Sequence, residues 1–92
     1  MDVIDNEKDS RYEAEVQGGR AFIDYRLNEG RIVLVHTEVP KAAEGHGIGD
    51  ALVRFALDDA RARGLEVVPR CPFIAQWIER HPEYADLVRS SG

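Results

Sequence analysis

Residues 31–68 read RIVLVHTEVPKAAEGHGIGDALVRFALDDARARGLEVV. The opening run, RIVLVHTEV, is apolar at both parities, with Val33, Val35 and Val39 on one side and Ile32 and Leu34 on the other. That pattern predicts a strand buried on both faces and therefore central in its sheet. Pro40 closes it. From Ile48 onward, Ala51, Leu52, Phe55 and Ala56 recur at helical spacing, and Gly64 supplies a stop after about Arg63. LEVV (65–68) is a short strand that Pro69 ends. Strand, helix and strand in this order predict a β-α-β crossover, with the two strands parallel.

The segments on either side extend this unit into a small domain. RYEAEV (11–16) alternates, with Tyr12, Ala14 and Val16 inward, and Gly18-Gly19 reads as a hairpin turn. AFIDYRL (21–27) places Ala21, Ile23, Tyr25 and Leu27 on a buried face, and NEG (28–30) makes the next turn. After the crossover, Pro72 suits the first position of a helix whose stripe is Phe73, Ile74, Trp77 and Ile78. Phe73 and Trp77 are expected to pin that helix to the sheet. PEYADLV (82–88) reads as a last short helix with Tyr84, Leu87 and Val88 inward. The expected order is β-β-β-α-β-α-α: an α/β domain with a small mixed, mainly antiparallel sheet and packed helices. Residues 10–92 form this domain, and residues 1–9 form a flexible polar lead in which Val3 and Ile4 are too isolated for a strand.

Composition narrows the function. A chain of 92 residues with 43% hydrophobic residues supports one core. A formal net charge of -5 argues against nucleic acid or an anionic membrane as partner. Cys71 is the single cysteine, which excludes an intrachain disulfide and a thiolate-rich metal site. The polar N-terminus lacks the marks of a secretory signal, so a cytoplasmic location is expected. His36, His46 and His81 are not spaced as metal ligands. Oligomeric state is left open.

Between the central strand and the helix, Gly45, Gly47 and Gly49 stand at alternate positions. A helix start beyond the carboxyl end of a strand offers free N–H groups and the positive end of a dipole. Glycines there let a phosphate approach the backbone, so the spacing predicts an anion site, most economically for a pyrophosphate. The plainer reading is a tight strand-to-helix connection. No Lys-Ser/Thr follows, so this is no P-loop, and the dinucleotide fingerprint is incomplete.

Four blocks in order, VHTEVP (35–40), GHGIGDALV (45–53), VPRCPF (68–73) and WIERHPEYADLV (77–88), resemble the small single-domain branch of the GCN5-related N-acetyltransferase superfamily. The resemblance covers roughly residues 10–89. It implies the acyl-CoA N-acyltransferase fold and makes the anion coenzyme A, with acetyl-CoA as donor and an amine as acceptor. The cofactor-binding residues it implies are Val39, Gly45, His46, Gly47, Ile48, Gly49 and Asp50, with Arg54 toward the nucleotide end. Glu44 stands where Gln or Arg is usual, and the chain lacks the last strands that build the acceptor pocket in larger relatives.

Direct transfer to an amine needs a base, a polarised thioester carbonyl and a proton for the leaving thiolate. Glu38, at the end of the central strand, is a candidate base or else a solvated strand-end residue. His36 shares its face with Ile32, Leu34 and Glu38 by simple alternation, and is either a second base or a packed histidine. Cys71, at a helix start, is a candidate nucleophile, proton donor or channel wall; otherwise it is a small buried hydrophobe. The alternatives to an enzyme are a CoA-binding module without transfer and a structural interaction domain.

Overall fold

The computed structural model describes residues 1–88. Five strands, β1 (Ile4–Asn6), β2 (Arg11–Val16), β3 (Gly19–Asn28), β4 (Arg31–Glu38) and β5 (Glu66–Pro69), form one sheet in the order β1-β2-β3-β4-β5. The first four are antiparallel neighbours, and β4 pairs with β5 in parallel. Helix α1 (Ile48–Ala62) makes the crossover between them, and α2 (Pro72–Glu79) follows β5. Lys41–Ala43 and Pro82–Leu87 are 3-10 turns, so the expected last helix is the tighter form.

One face of the sheet carries the core. Tyr12, Ala21, Ile23, Tyr25, Ile32 and Leu34 meet Leu52, Val53, Ala56, Leu57 and Ala60 of α1 and Ile74 of α2. The acidic residues of α1 fasten this layer to its aromatic neighbours. Tyr12 Oη donates to Asp59 at 2.6 Å, Tyr84 Oη to Asp58 at 2.8 Å, and Trp77 Nε1 to Asp50 at 2.8 Å. Each bond satisfies a donor on a mostly buried ring that would otherwise carry a desolvation cost.

Three expectations are corrected. The lead contains a strand: Ile4–Asn6 pairs with Arg11–Glu13, and Asp5 accepts a hydrogen bond from Tyr25 Oη. A run of three residues carries too little periodicity to read, and its partner supplies the order. Leu27 is exposed, in the part of β3 beyond its pairing with β2. β4 is interior to the sheet but covered on one face only; Val35 on the other is 38% exposed. Val33 and Val35 give a strand the look of double burial although, among the described residues, no helix buries them.

Candidate functional site

The pairing of β4 with β5 runs from Arg31↔Glu66 to Leu34↔Pro69 and then stops. The Leu34 carbonyl accepts the last bonds, from Arg70 N–H at 3.0 Å and Cys71 N–H at 3.1 Å. Beyond this point β4 continues to Glu38 while the other chain turns into α2. Because the two strands are parallel, the helices that follow them start at the same end of the sheet. A gap at a strand edge therefore lies between two helix N-termini.

The glycine turn forms one wall. Gly45 has φ +84 and Gly47 has φ +72, and a Cβ at either would meet nothing within 4 Å. Their role is conformational: a side chain at such φ is strained even where space is free. Gly47 is the N-cap of α1 and no side chain caps this end, the first intrahelical bond being Ala51 N–H to the Gly47 carbonyl at 3.0 Å. The amides of Ile48, Gly49 and Asp50 precede that bond and have no partner within the helix. Gly49 acts differently. Its Cβ would lie 3.1 Å from Phe73 Cζ, so the missing side chain seats an aromatic ring. Phe73 therefore packs on α1 rather than pinning α2 to the sheet.

Beside the turn lies a groove of about 350 Å³, walled by Val39, Ala43, Ile48, Phe73 and Trp77 around the three glycines, with the acidic Glu44 and Asp50 also on its lining. The structure thus brings Val39, Gly45, Gly47, Ile48, Gly49 and Asp50 together. His46 is exposed and, like Arg54, stands outside these walls. The Asp50 carboxylate is turned toward Trp77 Nε1 and toward Arg54 Nε at 3.3 Å. The Trp77 bond, helped by Arg54 and opposed by burial, holds this carboxyl below its ordinary value. Arg54 also lies 5.2 Å above the Trp77 ring, and His81 stacks on its indole at 3.6 Å.

The candidate catalytic residues divide between the two faces of the sheet. Asp24 pairs with His36, but Tyr25 pairs with Leu34, leaving Val35 as an extra residue in β4. This β-bulge breaks the alternation. Thr37 comes to stand opposite Ile23 on the helix side, and His36 and Glu38 stand opposite Asp24 and Phe22 on the open side. The face that His36 was expected to share with Ile32 and Leu34 is thus corrected. His36 Nε2 lies 3.5 Å from Glu38 Oε2, with side chains 56% and 61% exposed. The His36 ring meets Phe22 edge-on at 6.4 Å.

Cys71 lies on the other side, buried at the N-cap of α2. Its thiol donates to Thr37 Oγ1 at 3.5 Å. Burial pushes the thiol pKa up, but the Thr37 hydroxyl and the amides of Ile74, Phe73 and Thr37 outweigh that effect, and the net shift is downward. Cys71 is thus brought to Thr37 and not to His36 or Glu38. Thr37 had no signal in the sequence, because plain alternation assigns it to the wrong face. Among the described residues, no group of three potential ligands could hold a metal ion, and no helix is long and apolar enough to cross a membrane.

Comparison with known proteins agrees with this architecture. Residues 11–87 match the family model described as GCN5-related N-acetyl-transferase. Protein NATD1 from Gallus gallus and from Mus musculus is 38% identical over 64 residues, which cover 68% of this chain. The match spans only 58% of each of those relatives. The solution structure of a GCN5-like protein from Staphylococcus aureus superposes with a TM-score of 0.77 at 22% identity, covering 99% of this chain and 90% of that one. That likeness shows the shared fold: a mixed, mostly antiparallel sheet with flanking helices and a β-α-β crossover. With most of its length matched by the family model, the chain belongs to the GCN5-related N-acetyl-transferase family.

Proposed function

We propose that this chain binds acetyl-CoA through residues 45–50 and transfers its acetyl group directly to an amine. The observation that carries the reading is the uncapped N-terminus of α1 beside the gap between β4 and β5, in a chain of this family. The donor set fits the ligand. Free amides at residues 48–50 and the positive end of a helix dipole suit a pyrophosphate. The adjoining Val39, Ile48 and Phe73 wall suits an apolar arm. Arg54, already shared between Asp50 and Trp77, is available to the nucleotide end only by leaving them. His46 is solvated on the turn and reaches phosphate from outside the groove.

When bound, acetyl-CoA supplies an activated acyl group. In this reading the chain's residues orient it and manage protons. Glu38 and His36, adjacent on the open face, take the proton from an ammonium arriving from that side. Cys71, in the helix layer with its thiol on Thr37, would serve as proton donor to the leaving thiolate or as a wall of the channel. Without a histidine beside it, a covalent role for Cys71 is disfavoured. Residues 10–92 act as one domain in a reducing, cytoplasmic compartment, where Cys71 stays a free thiol.

A second reading, a CoA-binding module without efficient transfer, is favoured by the solvation of both candidate bases. Glu38 and His36 are both more than half exposed, with no wall of the site around them to exclude water. Incubation with acetyl-CoA and a panel of amines, followed by mass spectrometry, separates the two. Acetylated product that falls at least tenfold in the Glu38→Gln, His36→Gln double variant supports transfer. CoA binding with no product from any amine supports the module.

A further inference from the structure

The third residue of a helix is where a side-chain acceptor can fold back on the backbone N–H of the N-cap residue, here Gly47. Asp50 holds that position in α1, yet the helix has no side-chain cap. Its two oxygens are engaged sideways: Oδ1 accepts from Trp77 Nε1 at 2.8 Å and Oδ2 from Arg54 Nε at 3.3 Å. Trp77 is well placed to hold it. The indole is 7% exposed, stacked on His81 with an interplanar angle of 10°, and 5.5 Å from the Tyr84 ring. His81 is itself anchored, its Nδ1 lying 2.6 Å from the Trp77 carbonyl oxygen.

We infer that Trp77 is a positioning residue for the glycine turn: by holding Asp50 sideways, it keeps that carboxylate from folding back on the Gly47 amide and leaves the turn and the N-terminus of α1 open to an external anion. The inference rests on the reading of this turn as the pyrophosphate site. Without the indole N–H, Asp50 becomes an internal competitor, a carboxylate tethered one turn from the amides a phosphate would use. It would also add a negative charge where the ligand's charge must sit.

The test is a double-mutant cycle read with inorganic pyrophosphate and with CoA by calorimetry. Trp77→Phe keeps an aromatic ring and removes the donor. It should weaken binding about five- to tenfold, the worth of one side-chain helix cap. In an Asp50→Ala background the same change should cost less than about twofold, since no carboxylate remains to swing back. Equal losses in both backgrounds would make Trp77 only a wall of the groove and overturn the inference, as would no loss in either. Asp50→Glu gives an arm that leaves Trp77 in place and does not depend on Trp77→Phe folding. The longer carboxylate reaches the helix end more readily and should weaken binding, so unchanged or tighter binding counts against the idea. Amide exchange in the ligand-free protein separates this inference from the cofactor reading. Trp77→Phe should slow exchange at the Gly47 amide, and Asp50→Ala should reverse that. If neither pyrophosphate nor CoA binds the folded wild type, the cofactor reading falls, and the exchange result still decides whether Trp77 holds Asp50 off the helix end.

Discussion

The Cys71 thiol and the Thr37 hydroxyl meet at 3.5 Å, joining the start of α2 to the part of β4 that has outrun its parallel partner. The contact exists because the Val35 bulge turns Thr37 toward the helices. It also makes the thiol easier to ionise than its burial alone would allow. Thr37→Val keeps the shape and removes the hydroxyl, so the Cys71 pKa should rise. Thiolate absorbance followed against pH measures this directly. A value unchanged or lower in the variant would mean that the amides at the α2 end set the thiol's acidity alone.

Gly49 and Phe73 should be energetically coupled. In a helix, Gly→Ala ordinarily gains about 0.5–1 kcal/mol from the reduced backbone entropy of the unfolded chain. Here the new methyl would press on Phe73 Cζ, and the half-exposed ring must move. Gly49→Ala should therefore gain its full amount in a Phe73→Ala background and at least about 0.5 kcal/mol less in the wild type. Urea unfolding of the four proteins gives the coupling. Equal gains in both backgrounds would show that the ring yields freely.

Alkaline pH should destabilise the fold through its buried tyrosines. Burial first, and then the bonds to Asp59 and Asp5, raise the pKa of Tyr12 and Tyr25 above the ordinary tyrosine value. A group whose folded pKa is raised contributes stability that is complete below its unfolded value, about 10, and lost as pH rises beyond it. Tyr12→Phe should cost about 1.5 kcal/mol near neutral pH, where the hydroxyl's bond to a carboxylate is lost. The same variant should flatten the loss above pH of about 10. Unfolding midpoints across that range decide it, and parallel curves for the two proteins would exclude Tyr12 as the source.

Much of this architecture was legible in the sequence because it rests on strong local signals. Alternation fixed β2 and most of β3, and the stretch from Ile32 to Val68 carried strand, helix and strand with turn residues between them. The glycine turn stood out by its spacing, but its glycines could not be told apart. Gly45 and Gly47 answer to backbone conformation and Gly49 to Phe73, and only the packing of α2 on α1 distinguishes them. The bulge was hidden for a similar reason. One extra residue leaves composition and hydrophobicity unchanged, yet it sends His36 and Glu38 to one face and Thr37 to the other. The pairing of Asp50, Asp58 and Asp59 with Trp77, Tyr84 and Tyr12 is also tertiary. On the chain these acids look like an ordinary solvated helix face.

Calorimetric titration of CoA into the wild type and into Gly47→Ala tests the central claim most directly. At Gly47, φ +72 means that alanine strains the turn although nothing lies within 4 Å of its Cβ. That strain amounts to about 1–2 kcal/mol. The account predicts saturable binding to the wild type, weakened at least about tenfold in the variant while its circular dichroism stays native. Absence of binding to the folded wild type, or equal binding by both proteins, would contradict it.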